Sequence, residues 1–104
     1  MTDTGRNPPI LSQLQPFTWL SEDSVAYEAA LEAINGAVGA YSAVIAAEEA
    51  KGASDPAVIS AARDGQAECA CWRDQLDPAD RAQVTEARRH FSQLANEMRA
   101  RLGD

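Results

Sequence analysis

Two series of apolar side chains run along residues 26–50, and each keeps the alternating 3-4 spacing of a helix face. The first is small: Ala26, Ala29, Ala33, Gly36, Ala40, Ala43, Ala47 and Ala50. The second is large: Tyr27, Leu31, Ile34, Val38, Tyr41 and Ile45. At about 100° per residue the two series lie roughly 180° apart around one helix. A surface helix of a small monomer buries a single stripe. A helix that is apolar on opposite sides therefore predicts a second covering surface. The large face is expected to pack inside the chain and the small face to meet another copy, with the two first helices approaching closely and antiparallel. Small side chains allow such a close approach. Burial of the small face under helix 3 or the N-terminal arm, and solvent-exposed alanine as neutral helix filler, are the competing readings.

Local signals place the boundaries. Leu20, Ser21 and Val25 have the spacing of a hydrophobic staple around an N-cap. Glu22 and Asp23 suit the positive end of a helix dipole, Lys51 the negative end, and Gly52 a C′ position. The first helix is expected over residues 22–51, about 45 Å long. Gly36 and Gly39 each weaken it by up to about 1 kcal/mol, which predicts close backbone contact there. Asp55-Pro56 and Asp77-Pro78 both read as a cap followed by Pro at the first helical position. They predict helix 2 over 56–76 and helix 3 over 78–102. The inward face of helix 2 is Val58, Ala62, Gly65, Cys69, Trp72 and Leu76, and that of helix 3 is Val84, Ala87, Phe91, Leu94, Met98 and Leu102.

Residues 1–16 contain Gly5, Pro8, Pro9 and Pro16 and are expected to form a flexible or extended N-terminal arm. Ile10, Leu11 and Leu14 would lie across a helix groove, and Trp19 would plug the end of the bundle. Residues 17–104 are expected to form a single domain. Short connections make sequential helices antiparallel neighbours. The fold class predicted is all-α, an antiparallel three-helix bundle with a long first helix that overhangs its neighbours.

Composition supports association. The chain has 104 residues but only 6% aromatics, and alanine dominates its apolar fraction. Small side chains bury little area each, so they stabilise only through long, close contact. The formal charge is −7, which disfavours nucleic acid and anionic membranes as partners. Residues 21–50 carry six acids and no base, whereas Arg81, Arg88, Arg89, Arg99 and Arg101 cluster near the C-terminus. An acidic helix and a basic one can pair within a chain or between chains. Eight Arg against one Lys, amid so much alanine, match the coding bias of a GC-rich bacterium. The longest charge-free run, residues 33–47, is short and polar for a bilayer span. No secretory leader is expected, and the two cysteines, Cys69 and Cys71, point about 200° apart on a helix. A reduced, cytoplasmic, soluble protein follows as the expectation.

Candidate chemistry is sparse. Glu28 with Glu32, and Asp64 with Glu68, stand at i, i+4, a spacing that puts two carboxylates on one face for a hard cation. Such pairs occur in di-metal bundles and in all-helical nucleotide pyrophosphohydrolases. His90 lacks an acid three residues before it, and Glu48-Glu49 lacks the third acid of a Glu-Glu-x-x-Glu run. These four carboxylates therefore form a low-ranking metal or nucleotide-hydrolase alternative, and no cofactor is expected. Cys69 reads as a buried small hydrophobe. Cys71 sits with Asp64, Glu68 and Gln75, acidic company for a thiolate. His90 is expected to pair with Glu86 one turn back. Arg88, Arg89 and His90 form a basic patch whose expected partner is the acidic helix 1, with a weak nucleic-acid role or a hetero-adaptor role as further alternatives. The function expected is a non-enzymatic protein–protein interaction module, working as a homodimer.

Overall fold

The computed structural model describes the backbone of residues 2–103 and the side chains of residues 22–103. Three helices follow one another: α1 (Thr2–Glu49), α2 (Pro56–Gln75) and α3 (Arg81–Gly103). The architecture is the all-α three-helix bundle with a long first helix. Arg73 on α2 donates to Asn35, and Gln66 donates to Val38 and Ser42, so α2 runs antiparallel to α1. Arg81 meets Asp23 and Arg99 meets Gly36, so α3 runs parallel to it.

Helix 1 is not capped at Ser21. Its backbone is helical from Thr2. Between Phe17 and Asn35 there is no Gly or Pro to stop a helix, so the staple signal around Ser21 is overridden. Where a flexible or extended arm is expected over residues 1–16, the described backbone is helical from Thr2; the roles given to Ile10, Leu11, Leu14 and Trp19 rest on side chains outside the described residues.

The C-terminal end of α1 also closes differently from the glycine cap expected at Gly52. No described glycine has a positive φ. Glu48, with only 6% of its surface exposed, closes the turn instead. Its main-chain carbonyl accepts from the Lys51 N–H (3.1 Å) and the Ser54 hydroxyl (2.9 Å). Its carboxylate accepts from Lys51 Nζ and from the Asp55 N–H, both at 2.9 Å. Asp55 then caps α2 by accepting from the Ala57 N–H, with Pro56 at the first helical position.

Helix 3 begins at Arg81 rather than Pro78. Asp77-Pro78-Ala79-Asp80 forms a turn of its own, closed by Asp80 N–H to Asp77 O at 2.9 Å. Asp80 is the cap: its carboxylate accepts from the Gln83 N–H at 3.0 Å. The spacing Asp-x-x-Gln is half of a capping box, a signal in the sequence that the Asp-Pro pair obscured.

Both α2 and α3 lie against α1, while the backbones of α2 and α3 nowhere come within 8 Å of each other. Large side chains fill the wedge between them. The rings of Trp72 and Phe91 meet edge to face, 5.8 Å apart at 76°, a favoured aromatic geometry. Ala30, Ile34 and Ala37 of α1 join Cys69, Leu76, Val84, Ala87 and Phe91 in one core. A second cluster joins Ala40 to Ala95 and Met98. Leu102, expected to face inward, is 39% exposed.

The glycine roles are reversed relative to expectation. A Cβ at Gly36 would meet nothing, whereas one at Gly65 would fall inside the ring of Tyr41. The close approach in this bundle is therefore Tyr41 of α1 seated on bare α2 backbone. Gly65→Ala is expected to lower unfolding stability by about 1 kcal/mol, because overpacking of 1–3 kcal/mol outweighs the gain in helix propensity. Gly36→Ala, in dilute protein, is expected to raise it by up to about 1 kcal/mol. Urea unfolding followed by circular dichroism checks both, and a stabilised Gly65→Ala would show that the ring swings aside freely.

Candidate functional site

The small-residue face of α1 is the first surface to locate. Its members are divided. Ala40 is buried against Ala95 and Met98 of α3. Ala29, Ala33 and Gly36 are half-buried along the α1–α3 groove, while Ala26, Ala43, Ala47 and Ala50 are exposed. The chain's own α3 thus takes up the middle of the stripe. The large face turns toward α2, where Tyr41 sits on Gly65 and the Val38 carbonyl accepts from Gln66 at 3.1 Å. The deepest arc of α1 runs from Ile34, at the edge of the large face, to Ala30 and Ala37 between the two faces. Sorting positions by side-chain size hid it. Taking all apolar positions together shows it, because 30, 34, 37, 41 and 44 also keep the 4-3 spacing.

The groove between α1 and α3 is open to solvent and has a small-residue floor of Ala29, Ala33, Gly36 and Ala95. Its α1 wall carries Glu32, and its α3 wall carries Arg88 and Arg99. Arg99 donates to the Gly36 carbonyl at 3.2 Å. Glu32 and Arg88 are both exposed, and among the described residues neither makes an ion pair. Elsewhere the acid–base sorting of the sequence is satisfied within the chain, by Arg81 Nε to Asp23 Oδ1 at 3.0 Å.

The carboxylate pairs do not converge. Glu28, Glu32, Asp64 and Glu68 are all exposed, and no group of three or more metal-ligating side chains comes together among the described residues. Glu48, read in the sequence as part of an incomplete catalytic run, is the structural residue that ties the end of α1 to the start of α2.

The remaining titratable groups have local partners. Cys69 is buried, and burial followed by the Glu68 charge pushes its thiol above the usual value. Burial also raises Tyr41, with Cys69 and Glu68 adding to it. Both groups stay protonated at neutral pH, which suits packing and not nucleophilic chemistry. Cys71 is exposed and free. Glu86 pairs with Arg89 (Oε2 to Nη2, 2.6 Å) and not with His90 as expected. The guanidinium offers two donors to one carboxylate, 3.3 Å and 2.6 Å away, whereas the imidazole packs edge-on against Phe91 at 4.8 Å.

One stretch of α1, Glu22–Glu49, is long and apolar enough to cross a membrane by length and composition, with a hydropathy of 1.3. In the bundle α2 and α3 cover two sides of the same stretch.

Glu48 gives a pH dependence with a definite sign. The Lys51 ammonium, then the Asp55 N–H, hold its carboxyl below the usual 4.5 in the folded chain. The unfolded chain therefore binds the extra proton first. This contribution is fully present above the unfolded value and is lost as pH falls through the lower folded one. Glu86 acts in the same direction through Arg89. Urea midpoints are expected to fall from about pH 5 to pH 3, and Glu48→Gln to flatten part of that fall; an unchanged profile in the variant would remove Glu48 from the account. No protein-family model, no curated protein and no solved structure matches this chain.

Proposed function

We propose that this chain is a non-enzymatic helical interaction module that self-associates through the small-residue face of α1, as a soluble cytoplasmic protein. The observation that carries this reading is Gly36. A glycine inside a helix costs up to about 1 kcal/mol relative to alanine. Among the described residues nothing occupies the space a Cβ would take at Gly36, so packing of these residues within one copy does not account for it. The position lies in the open groove with Ala29 and Ala33, where a second polypeptide would find a low, close surface. Exposed Ala43, Ala47 and Ala50 continue the same face.

Scattered acids favour a module over an enzyme. Calorimetric titration with Mg²⁺ or Mn²⁺ is expected to give no saturable heat, and stoichiometric binding lost in Glu32→Gln or Asp64→Asn would favour the hydrolase-like alternative. For self-association, Gly36→Leu is the informative variant. Ala40→Leu would overpack the intrachain contact with Met98, whereas position 36 is open. Light scattering is expected to give twice the 11.1 kDa chain mass for the wild type, and the single-chain mass for Gly36→Leu with unchanged helix content. A wild type that stays monomeric at high concentration, or a Gly36→Leu variant that still dimerises, overturns the reading.

A further inference from the structure

We infer that the occupant of the α1–α3 groove is a second copy of this chain running parallel to the first, with Glu32 of each copy on Arg88 of the other. The inference rests on the self-association proposed above and adds the element that covers the groove and its direction. It starts from the opposite charges on the two walls. Glu32 stands on the α1 wall and Arg88 on the α3 wall. Both are exposed, and neither has an ion-pair partner among the described residues.

A closed dimer brings two identical surfaces together about a twofold axis. For two grooves laid face to face with aligned helices, that axis has two directions. An axis across the helices makes them antiparallel and sets α1 on α1, so Glu32 faces the acidic helix of the second copy. An axis along the helices keeps them parallel and sets α1 on α3. The second arrangement places each acidic wall on a basic one. In the half of α1 that lines the groove, Glu22, Glu28 and Glu32 are exposed and make no ion pair among the described residues, so the first arrangement sets acid on acid there. Like charges held together across an interface oppose association.

Register supports the same choice. Asp23 meets Arg81, Gly36 meets Arg99, and Ala40 packs with Ala95 and Met98, so Arg88 is level with residues 25–33 of α1, a span that includes Glu32. A twofold axis along the helices preserves level. It therefore keeps Arg88 of the second copy in the span of α1 that holds Glu32, over the floor of Ala29, Ala33 and Gly36.

The test is charge reversal, read by sedimentation across protein concentration with helix content checked by circular dichroism. Glu32→Arg and Arg88→Glu are each expected to weaken self-association by about tenfold or more, since two symmetric pairs turn repulsive at once. Glu32→Arg/Arg88→Glu together, or an equimolar mixture of the two single variants, is expected to restore it. Self-association of Glu32→Arg that equals or exceeds the wild type overturns the parallel arrangement while leaving self-association standing. A wild type that does not associate removes both.

Discussion

A helix that is apolar on two opposite sides is stabilised by covering both, and this fold follows from how far a short chain can do so: α2 covers the large face, and α3 covers only the middle of the small one. The cover comes from two helices, one per face. The large residues face α2 and the small ones face α3. The two covering helices then stand apart on adjacent sides of the rod and share the angle over Ala30, Ile34 and Ala37. The wedge that opens is closed by the bulkiest side chains of the second and third helices, Trp72 and Phe91. Side-chain size on α1 thereby sets where its neighbours run. Over the small face a guanidinium reaches the main chain at Gly36. Over the large face a tyrosine ring must itself find bare backbone, at Gly65.

Polar groups serve this arrangement more than any chemistry. Glu48 is the clearest case. A carboxylate buried at the end of an apolar rod needs donors, and it finds them in the connection to α2. The same residue thus ends one helix and orients the next. Cys69 and Tyr41 are held protonated by burial beside each other. Glu86 and Arg89 satisfy one another. Once these groups are assigned, the α1–α3 groove is where opposite charges remain on facing walls, above a floor of minimal side chains. That combination directs the functional reading toward an interface.

Charge and surface also act on different scales. The overall excess of acid keeps copies apart at a distance. Within the groove the sign alternates from wall to wall, so the local term depends on how two copies are turned. An interface with that character selects an orientation more than it adds affinity.

Period and capping residues are local properties, and they determined much from the sequence alone: three helices, the Asp55-Pro56 start of α2, the inward faces of α2 and α3 apart from Leu102, and the presence of two apolar faces on α1. They did not determine which neighbour each face meets. Residue size separates two faces on α1, while the core settled on Ile34 at the edge of the large face and on Ala30 and Ala37 between the faces, because a helix with neighbours on two sides is most buried in the angle they share. Nor did they separate Gly36 from Gly65, since both stand at helical interior positions and only the approach of another helix tells them apart. The starts of α1 and α3 differ from their cap signals for a related reason: Ser21 and Asp77-Pro78 both carry such signals, but no Gly or Pro stands between Phe17 and Asn35 to stop the helix at the first, and Asp80 with Gln83 supplies a better cap than the second. What a residue prefers is written along the chain, whereas what it touches is decided when distant segments compete for the same space.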